Sequence, residues 1–426
     1  MPISDFHGGP RILFVTSHWP LAPAYGAQQR VLNLARLLSK CSNLSFVVVP
    51  TEVEEEETAR RTREQFNVCK VIRPKKVTPD KLLYRLPERL RHEFDPKYLD
   101  TDPYEISAND RTILNELICQ HDLVWVHTIR TANWFRIYRW PHSVLDVDDR
   151  QSQTHQSVAE SCQNPFMRLL NRRRAWIWRR RERTFTERFD LLTVCSEDDR
   201  RYFGGGEQVQ VIPNGACPFL ARPRSISDPP RIGFLGNCEF MPNEHGMKWF
   251  IREVWPAIKL KFSKVQLRLV GRASDSHLTK MGQDIVGLGW LADPADEIST
   301  WSAMIVPVRI GGGTRVKLAE GFARKCPVVA TPVGAFGYEV QNGRELLLAD
   351  SAEDFALSCT RLLSDQTLSE AIAANAHKIF LERWTWDSFE GRIRTAVQKC
   401  LDRNTAQAGD LATAMPAQTD FQMTRS

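Results

Sequence analysis

The sequence has 426 residues, 42% of them apolar and 25% charged, an ordinary balance for two or three globular domains. Its 57 Lys and Arg against 51 Asp and Glu leave a net charge of +6, too little to argue for a nucleic-acid partner. Ten cysteines scattered singly, with no C-x-x-C pair and no Cys/His cluster, exclude a zinc centre of familiar spacing and suit a reduced compartment.

Arg11-Ile-Leu-Phe-Val-Thr-Ser17 is a continuous apolar run, the pattern of a strand covered on both faces. Pro20 and Pro23 break the chain after it, and Gly26 opens a helix with Val31, Leu34, Ala35 and Leu38 at helical spacing. A second strand is predicted from Leu44 to Val49, so the chain starts as a parallel α/β domain. The acidic run from Glu54 to Glu57, with Arg60, Arg61 and Arg63, reads as a solvated helix face. Further strands are predicted from Leu123 to Val126, Ser143 to Val147, Leu191 to Val194 and Val209 to Ile212.

The stretch from Ala221 to Pro230, rich in Pro, Ser and Arg, reads as a linker. The alternation then restarts. Strands are predicted from Arg231 to Leu235, Val265 to Val270, Ala303 to Val306 and Pro327 to Ala330, and helices from Met247 to Leu260, Thr314 to Arg324, Ala352 to Leu363 and Leu368 to Leu381. From about Asn404 the chain is small and polar, and a disordered tail is expected. No apolar stretch approaches the ~20 residues of a membrane span, and the run from Ile12 to Val15 is too short for a secretory leader. The expectation is a cytoplasmic protein, able at most to lie on the inner membrane face.

Val308-Arg-Ile-Gly-Gly-Gly-Thr-Arg-Val-Lys-Leu-Ala-Glu320 lies between a predicted strand and a predicted helix. Three glycines let backbone approach a ligand closely, and the helix head offers free N–H groups and partial positive charge to an anion. Arg315 and Lys317 add two cations in the first turn, where they are locally unfavourable unless something negative offsets them. A diphosphate fits, and Glu320, about one and a half turns on, is placed to accept from ribose hydroxyls.

This segment, followed by Cys326-Pro-Val-Val-Ala-Thr-Pro-Val-Gly-Ala335, resembles the donor-binding region of the retaining glycosyltransferases of family 4, in the subgroup with a G-G-G-T-R-x-K loop. Gly233-Phe-Leu-Gly-Asn237, Pro242-Asn243, Val270-Gly-Arg272 and Trp384-Thr-Trp-Asp387 fall in the family's order. The resemblance implies the α/β GT-B fold: two Rossmann-like domains facing across a cleft, over residues 1–220 and 221–385. A helix over 386–402 would return to the first domain, and the tail would start at 403. It implies transfer of a sugar from a nucleotide-diphosphate sugar, with retention of configuration, to a glycan or lipid-linked acceptor in bacterial surface or exopolysaccharide synthesis. It implies no metal and no cofactor. Donor contacts are expected from Gly26, Gly236, Asn237, Arg272, Arg309, Gly311, Gly312, Gly313, Thr314 and Glu320, and catalytic roles for Arg315 and Lys317. The sequence departs from the broad family at Gly312, where a first glutamate is common, and at Asn237 and Asn243, where Arg and Lys are common.

His127 ends a predicted strand at the cleft edge, where the family often has an active-site histidine near the donor sugar. Asp146 and Asp148 alternate past another strand end and are candidates to meet acceptor hydroxyls; Asp149 reads as loop polarity. Val211-Ile-Pro-Asn-Gly215 resembles a hinge-side motif of the family and reads as structural. From Arg168 to Arg183 there are eight arginines and one Glu, with Phe166, Leu169, Leu170, Trp176 and Ile177 towards one helical side. Such a helix either lies on anionic lipid or packs its apolar side on its own domain; no nucleic-acid motif accompanies it. Two other enzymes remain open, a nucleotide-sugar 2-epimerase on the same fold and a nicotinamide oxidoreductase, as does a non-catalytic partner protein. Against the oxidoreductase, no G-x-G-x-x-G follows the first strand.

Overall fold

The computed structural model describes residues 9–21, 26–51, 56–76, 104–217, 222–275 and 277–413. Two parallel sheets form. The first contains β1 (Arg11–Thr16), β2 (Asn43–Val48) and β3 (Asn67–Val71). The short strands β4 (Lys75–Lys76) and β5 (Tyr104–Glu105) pair antiparallel beside it. The first sheet resumes with β6 (Leu123–His127), β7 (Ser143–Val147), β8 (Leu191–Val194) and β9 (Val209–Val211), giving the order β3-β2-β1-β6-β7-β8-β9. The second sheet contains β10 (Arg231–Leu235), β11 (Gln266–Val270), β12 (Ile285–Gly287), β13 (Ala303–Val306), β14 (Val328–Ala330) and β15 (Leu347–Leu348), in the order β12-β11-β10-β13-β14-β15.

The apolar runs follow from this layering. In β1, Ile12, Leu13, Phe14 and Val15 are all buried because helices cover both faces of the sheet. In each sheet the winding direction reverses once, between β1 and β6 and between β10 and β13. A crevice opens at the carboxyl ends of the strands at such a reversal, and ligands bind there. Sheet topology thus fixes the candidate site before any side chain is considered.

The two sheets share a core. Phe14 and Phe46 of the first, Trp301 and Phe322 of the second, and Ile393 and Val397 of the last helix join one buried apolar cluster. The chain crosses between the sheets twice, side by side: Ala216 bridges to Thr385, and its N–H donates to the Trp384 carbonyl at 3.0 Å. After a 3-10 turn, Trp386–Phe389, the helix Glu390–Thr413 lies against the first sheet. Arg403 donates to the Asp190 carbonyl at 2.9 Å, and Lys40 pairs with Glu390 at 3.1 Å.

Two predicted elements differ, and a third lies partly outside the described residues. The helix runs through residue 403, where a loose tail is expected, so helical backbone continues to Thr413; residues 414–426 lie outside the described residues. The helix expected from Met247 to Leu260 is three pieces, Met241–Trp249, a π turn over Phe250–Val254, and Trp255–Lys261. Pro256 has no N–H for the regular ladder, and a π turn absorbs the missing bond. The expected linker begins inside an undescribed stretch, residues 218–221. Among the described residues no helix is long and apolar enough to cross a membrane.

Candidate functional site

The first-sheet side of the cleft is organised by a buried ion pair. Arg30 sits on the helix Gly26–Ser39 and is fully buried, as is Asp146 at the end of β7. The guanidinium donates to both Asp146 oxygens, at 2.6 and 2.9 Å. Its Nη1 donates to the Ile212 carbonyl and the Asn214 side-chain oxygen, both at 3.0 Å. Asp146 also accepts from Thr193 at 2.7 Å and faces His127 Nδ1 at 2.9 Å. Burial works against the Asp146 charge, but Arg30 and the His127 hydrogen bond outweigh it and hold the carboxyl well below the usual carboxylate range.

Asp146 therefore does not meet an acceptor. Its oxygens are committed inside the domain, and its effect on the cleft passes through His127. A carboxylate on Nδ1 fixes the imidazole so that Nδ1 carries the proton and Nε2 presents its lone pair. His127 Nε2 is buried and has no hydrogen-bond partner among the described residues. The His18 ring, at the end of β1, lies 6.0 Å from that of His127. Burial above all pushes His18 down to about 4, so it is neutral at physiological pH. His18 was not legible as a site residue, because only the β1–β6 pairing brings it beside His127.

The second-sheet side is the glycine loop after β13. The helix that follows is Val316–Ala323, and its first turn has no side-chain cap. Lys317 Nζ donates to the Asn243 side-chain oxygen at 2.6 Å and lies 4.3 Å from the Phe234 ring centre. Gly236, at the carboxyl end of β10, borders Lys317, Asn243 and Phe234. Burial and then the neighbouring Arg315 bring Lys317 down to about 7. Among the described residues, no carboxylate stands within ion-pair distance of Arg315 or Lys317. The charges of Asp149 and Asp148 act on Arg315 and that of Glu320 on Lys317 from beyond ion-pair distance, so the two buried cations are only partly offset.

Other expected residues fall differently. Arg315 was expected to grip phosphate, but its guanidinium folds onto its own loop and donates to the Gly312 carbonyl at 2.6 Å. The glycine amides are not bare: Gly311 and Gly312 donate to Ser157 and Thr154 of the opposite domain, at 2.7 and 3.0 Å. Gly313, at φ +70°, packs against Asp149. Burial and the charge of Asp148 raise Asp149 to about 7. Arg309 turns outwards, its guanidinium over the Trp249 ring at 4.7 Å. Arg272 lies at the rim, 3.7 Å from Glu239. Asn237 shapes its turn by accepting from the Glu239 N–H at 2.9 Å.

Besides the shared core and the two glycine amides, three further hydrogen bonds join the two sides, with Asn214 anchored in the first side by Asp148. Gln29 donates to Glu320 at 3.2 Å. The Asn214 amide donates to Thr314 at 3.0 Å and to Asp148 at 3.1 Å. Tyr338 donates to the Asn214 carbonyl at 3.2 Å. Asn214 thus links Arg30 to the glycine loop, a role that its motif did not reveal. Gly26 begins its helix, and Tyr25 lies outside the described residues.

The basic helix runs Pro165–Glu182, started by Pro165 and capped by the Asn164 side chain. Ile177 is buried, but Phe166 is 72% exposed, Leu169 67% and Trp176 50%. The apolar stripe expected on one side is split between the domain and solvent.

Residues 229–365 match the family model described as Glycosyl transferases group 1. A curated relative, an uncharacterised 44.6 kDa protein in the cps region of Klebsiella pneumoniae, is 24% identical over 162 residues. That match takes in 35% of this chain and 42% of the relative, less than half of its length. The fold is similar to that of sucrose-phosphate synthase from Thermosynechococcus elongatus, with TM-score 0.61 and 16% identity over 95% of this chain and 100% of the other. It is similar to Anabaena HepE in complex with UDP-glucose, with TM-score 0.61 and 16% identity over 91% and 99%. It is also similar to a Staphylococcus aureus TarM variant in complex with UDP, fondaparinux and α-GlcNAc-glycerol, with TM-score 0.63 and 11% identity over 91% and 99%. At these identities the likeness shows the fold, which is GT-B.

Proposed function

We propose that the protein is a retaining glycosyltransferase. It would take a sugar from a nucleotide-diphosphate donor and pass it to a glycan or lipid-linked acceptor in bacterial surface-polysaccharide synthesis. The observation that carries this reading is the cation pair Arg315 and Lys317 beside an uncapped helix head, with no described carboxylate within ion-pair distance. The family match over residues 229–365 and the cps-region relative support it.

The donor diphosphate would lie at the head of the helix Val316–Ala323, between Lys317 and the loop at Gly236. Helix amides and the ammonium stabilise negative charge that grows on the departing phosphate. Arg315 contributes by holding the glycine loop in shape. Glu320, already paired to Gln29 across the seam, accepts from the ribose. His127 Nε2, its lone pair fixed by Asp146 on the other nitrogen, accepts from a hydroxyl of the donor sugar. The bond from the anomeric carbon to phosphate breaks as the bond to the acceptor oxygen forms on the same face. The acceptor's proton passes to the departing phosphate oxygen. Closure of the cleft excludes water that would hydrolyse the donor.

The acceptor side carries the outward Phe166, Leu169 and Trp176 among arginines, with Arg180 over Trp176 at 4.8 Å. Aromatic and cationic groups together suit an anionic membrane surface, the natural place for a lipid-linked acceptor. The test is titration with a panel of nucleotide sugars, followed by NMR of the product formed from the donor that binds. A donor that binds to wild type and at least tenfold more weakly to Lys317→Met, with the product keeping the donor's anomeric configuration, supports the reading. Binding of no nucleotide sugar, or equal binding by the variant, would remove its basis.

A further inference from the structure

The glycine loop meets the opposite domain through two hydroxyls, and their hydrogen bonding has a fixed direction. On the helix Gln151–Ser161, the Thr154 hydroxyl donates to the Arg150 carbonyl at 3.3 Å and the Ser157 hydroxyl donates to the Thr154 carbonyl at 2.9 Å. Both O–H groups are therefore spent inside their own helix, and each oxygen turns a lone pair outwards. Those lone pairs take the Gly312 and Gly311 N–H groups, at 3.0 and 2.7 Å. The approach leaves no room for a side chain on the loop: a Cβ at Gly312 would stand 2.8 Å from the Arg150 carbonyl oxygen and 3.0 Å from the Thr154 hydroxyl. On its other side the loop is braced by Arg315, which donates to the Gly312 carbonyl.

We propose that this loop is a docking element for the acceptor-side domain, and that Thr154 and Ser157 are positioning residues that favour the closed cleft. The proposal rests on the glycosyltransferase reading for its kinetic consequence but not for its geometry. Opening the cleft would pull two backbone N–H groups off fixed acceptors, whereas a nucleotide held only by the second domain would lose nothing. The two hydroxyls therefore act on closure and turnover and leave the first binding of the nucleotide alone. Two neutral hydrogen bonds, each with a modest net value, shift a closure equilibrium by about twentyfold.

The experiment compares wild type with Thr154→Val, Ser157→Ala, the double variant and Thr154→Ser, with unfolding midpoints read in parallel. The expected result is a kcat about twentyfold lower in the double variant, while the Kd for UDP or another nucleoside diphosphate stays within about twofold. Thr154→Ser, which keeps the acceptor oxygen, should restore most of the loss at that position. Tighter nucleotide binding in the double variant would overturn the proposal, since the hydroxyls would then be occupying a phosphate site. An unchanged kcat would overturn it equally. Should wild type turn over no nucleotide sugar, amide hydrogen exchange at Gly311 and Gly312 decides the point independently. Protection in wild type that falls about twentyfold in the double variant supports docking, and equal protection in both refutes it.

Discussion

Replacing Arg30 with Met should be the most destabilising single change in the first domain. The side chain is fully buried and makes four hydrogen bonds, two to Asp146 and one each to Ile212 and Asn214. Met keeps the length of the stem and removes every donor. Asp146 would remain fully buried with only Thr193 and His127 against it. Removing one partner of a buried pair costs about 3–5 kcal/mol, because the other charge is left uncompensated. The pH dependence follows from sign. In wild type the Asp146 carboxyl is held well below its usual range, so its contribution is complete above the unfolded-state value near pH 4 and is lost only in stronger acid. In the variant, burial without Arg30 raises the same carboxyl, so the folded form prefers the proton and gains relative stability as pH falls. The difference between the two proteins should be largest near pH 7 and shrink towards about pH 4. Urea denaturation at the two pH values measures it. A loss below about 1 kcal/mol, or one that does not change with pH, would refute the claim that this ion pair organises the domain. Arg30→Met with Asp146→Leu should recover part of the loss, since no buried charge then remains.

Lys317 gives a second pH test. Its amine is brought down to about 7, so the ammonium that a diphosphate needs is present below that pH and lost above it. Affinity for an intact nucleotide sugar should be flat below about pH 7 and weaken above it by up to tenfold per unit; in Lys317→Met it should be weaker and without this slope. Asp149 is raised to about 7, so the fold favours its protonated form and stability falls as pH rises to that value. Asp149→Asn should therefore raise the unfolding midpoint above about pH 7 and have little effect in acid; an equal gain at both would contradict burial as the cause. Gly313→Ala places a Cβ at φ +70°, 1.7 Å from an Asp149 oxygen, and should cost about 1–3 kcal/mol and disturb the seam. Normal stability with normal turnover in that variant would mean the loop is not held as described.

The sequence by itself determined the two sheets and the strand, glycine loop and helix on which the proposed site is built. Runs such as Ile12 to Val15 and Ala303 to Val306 are legible because a parallel strand covered on both faces needs apolar residues throughout, a local requirement. The glycine loop was legible for a similar reason: three glycines between a strand and a helix mark close backbone approach whatever lies opposite. What lies opposite was not legible. Thr154 and Ser157 stand 158 and 154 residues from the glycines they meet, and Arg30 stands 116 from Asp146. Nothing in a window of a dozen residues distinguishes Asp146, locked under Arg30, from an aspartate open to the cleft. The direction of Arg315, turned onto its own loop, and the split of the basic helix between buried Ile177 and exposed Trp176 are of the same kind. Backbone periodicity fixes which residues share an element, whereas the partner of each polar group is set by which strands become neighbours and how the two domains close, and those are tertiary decisions.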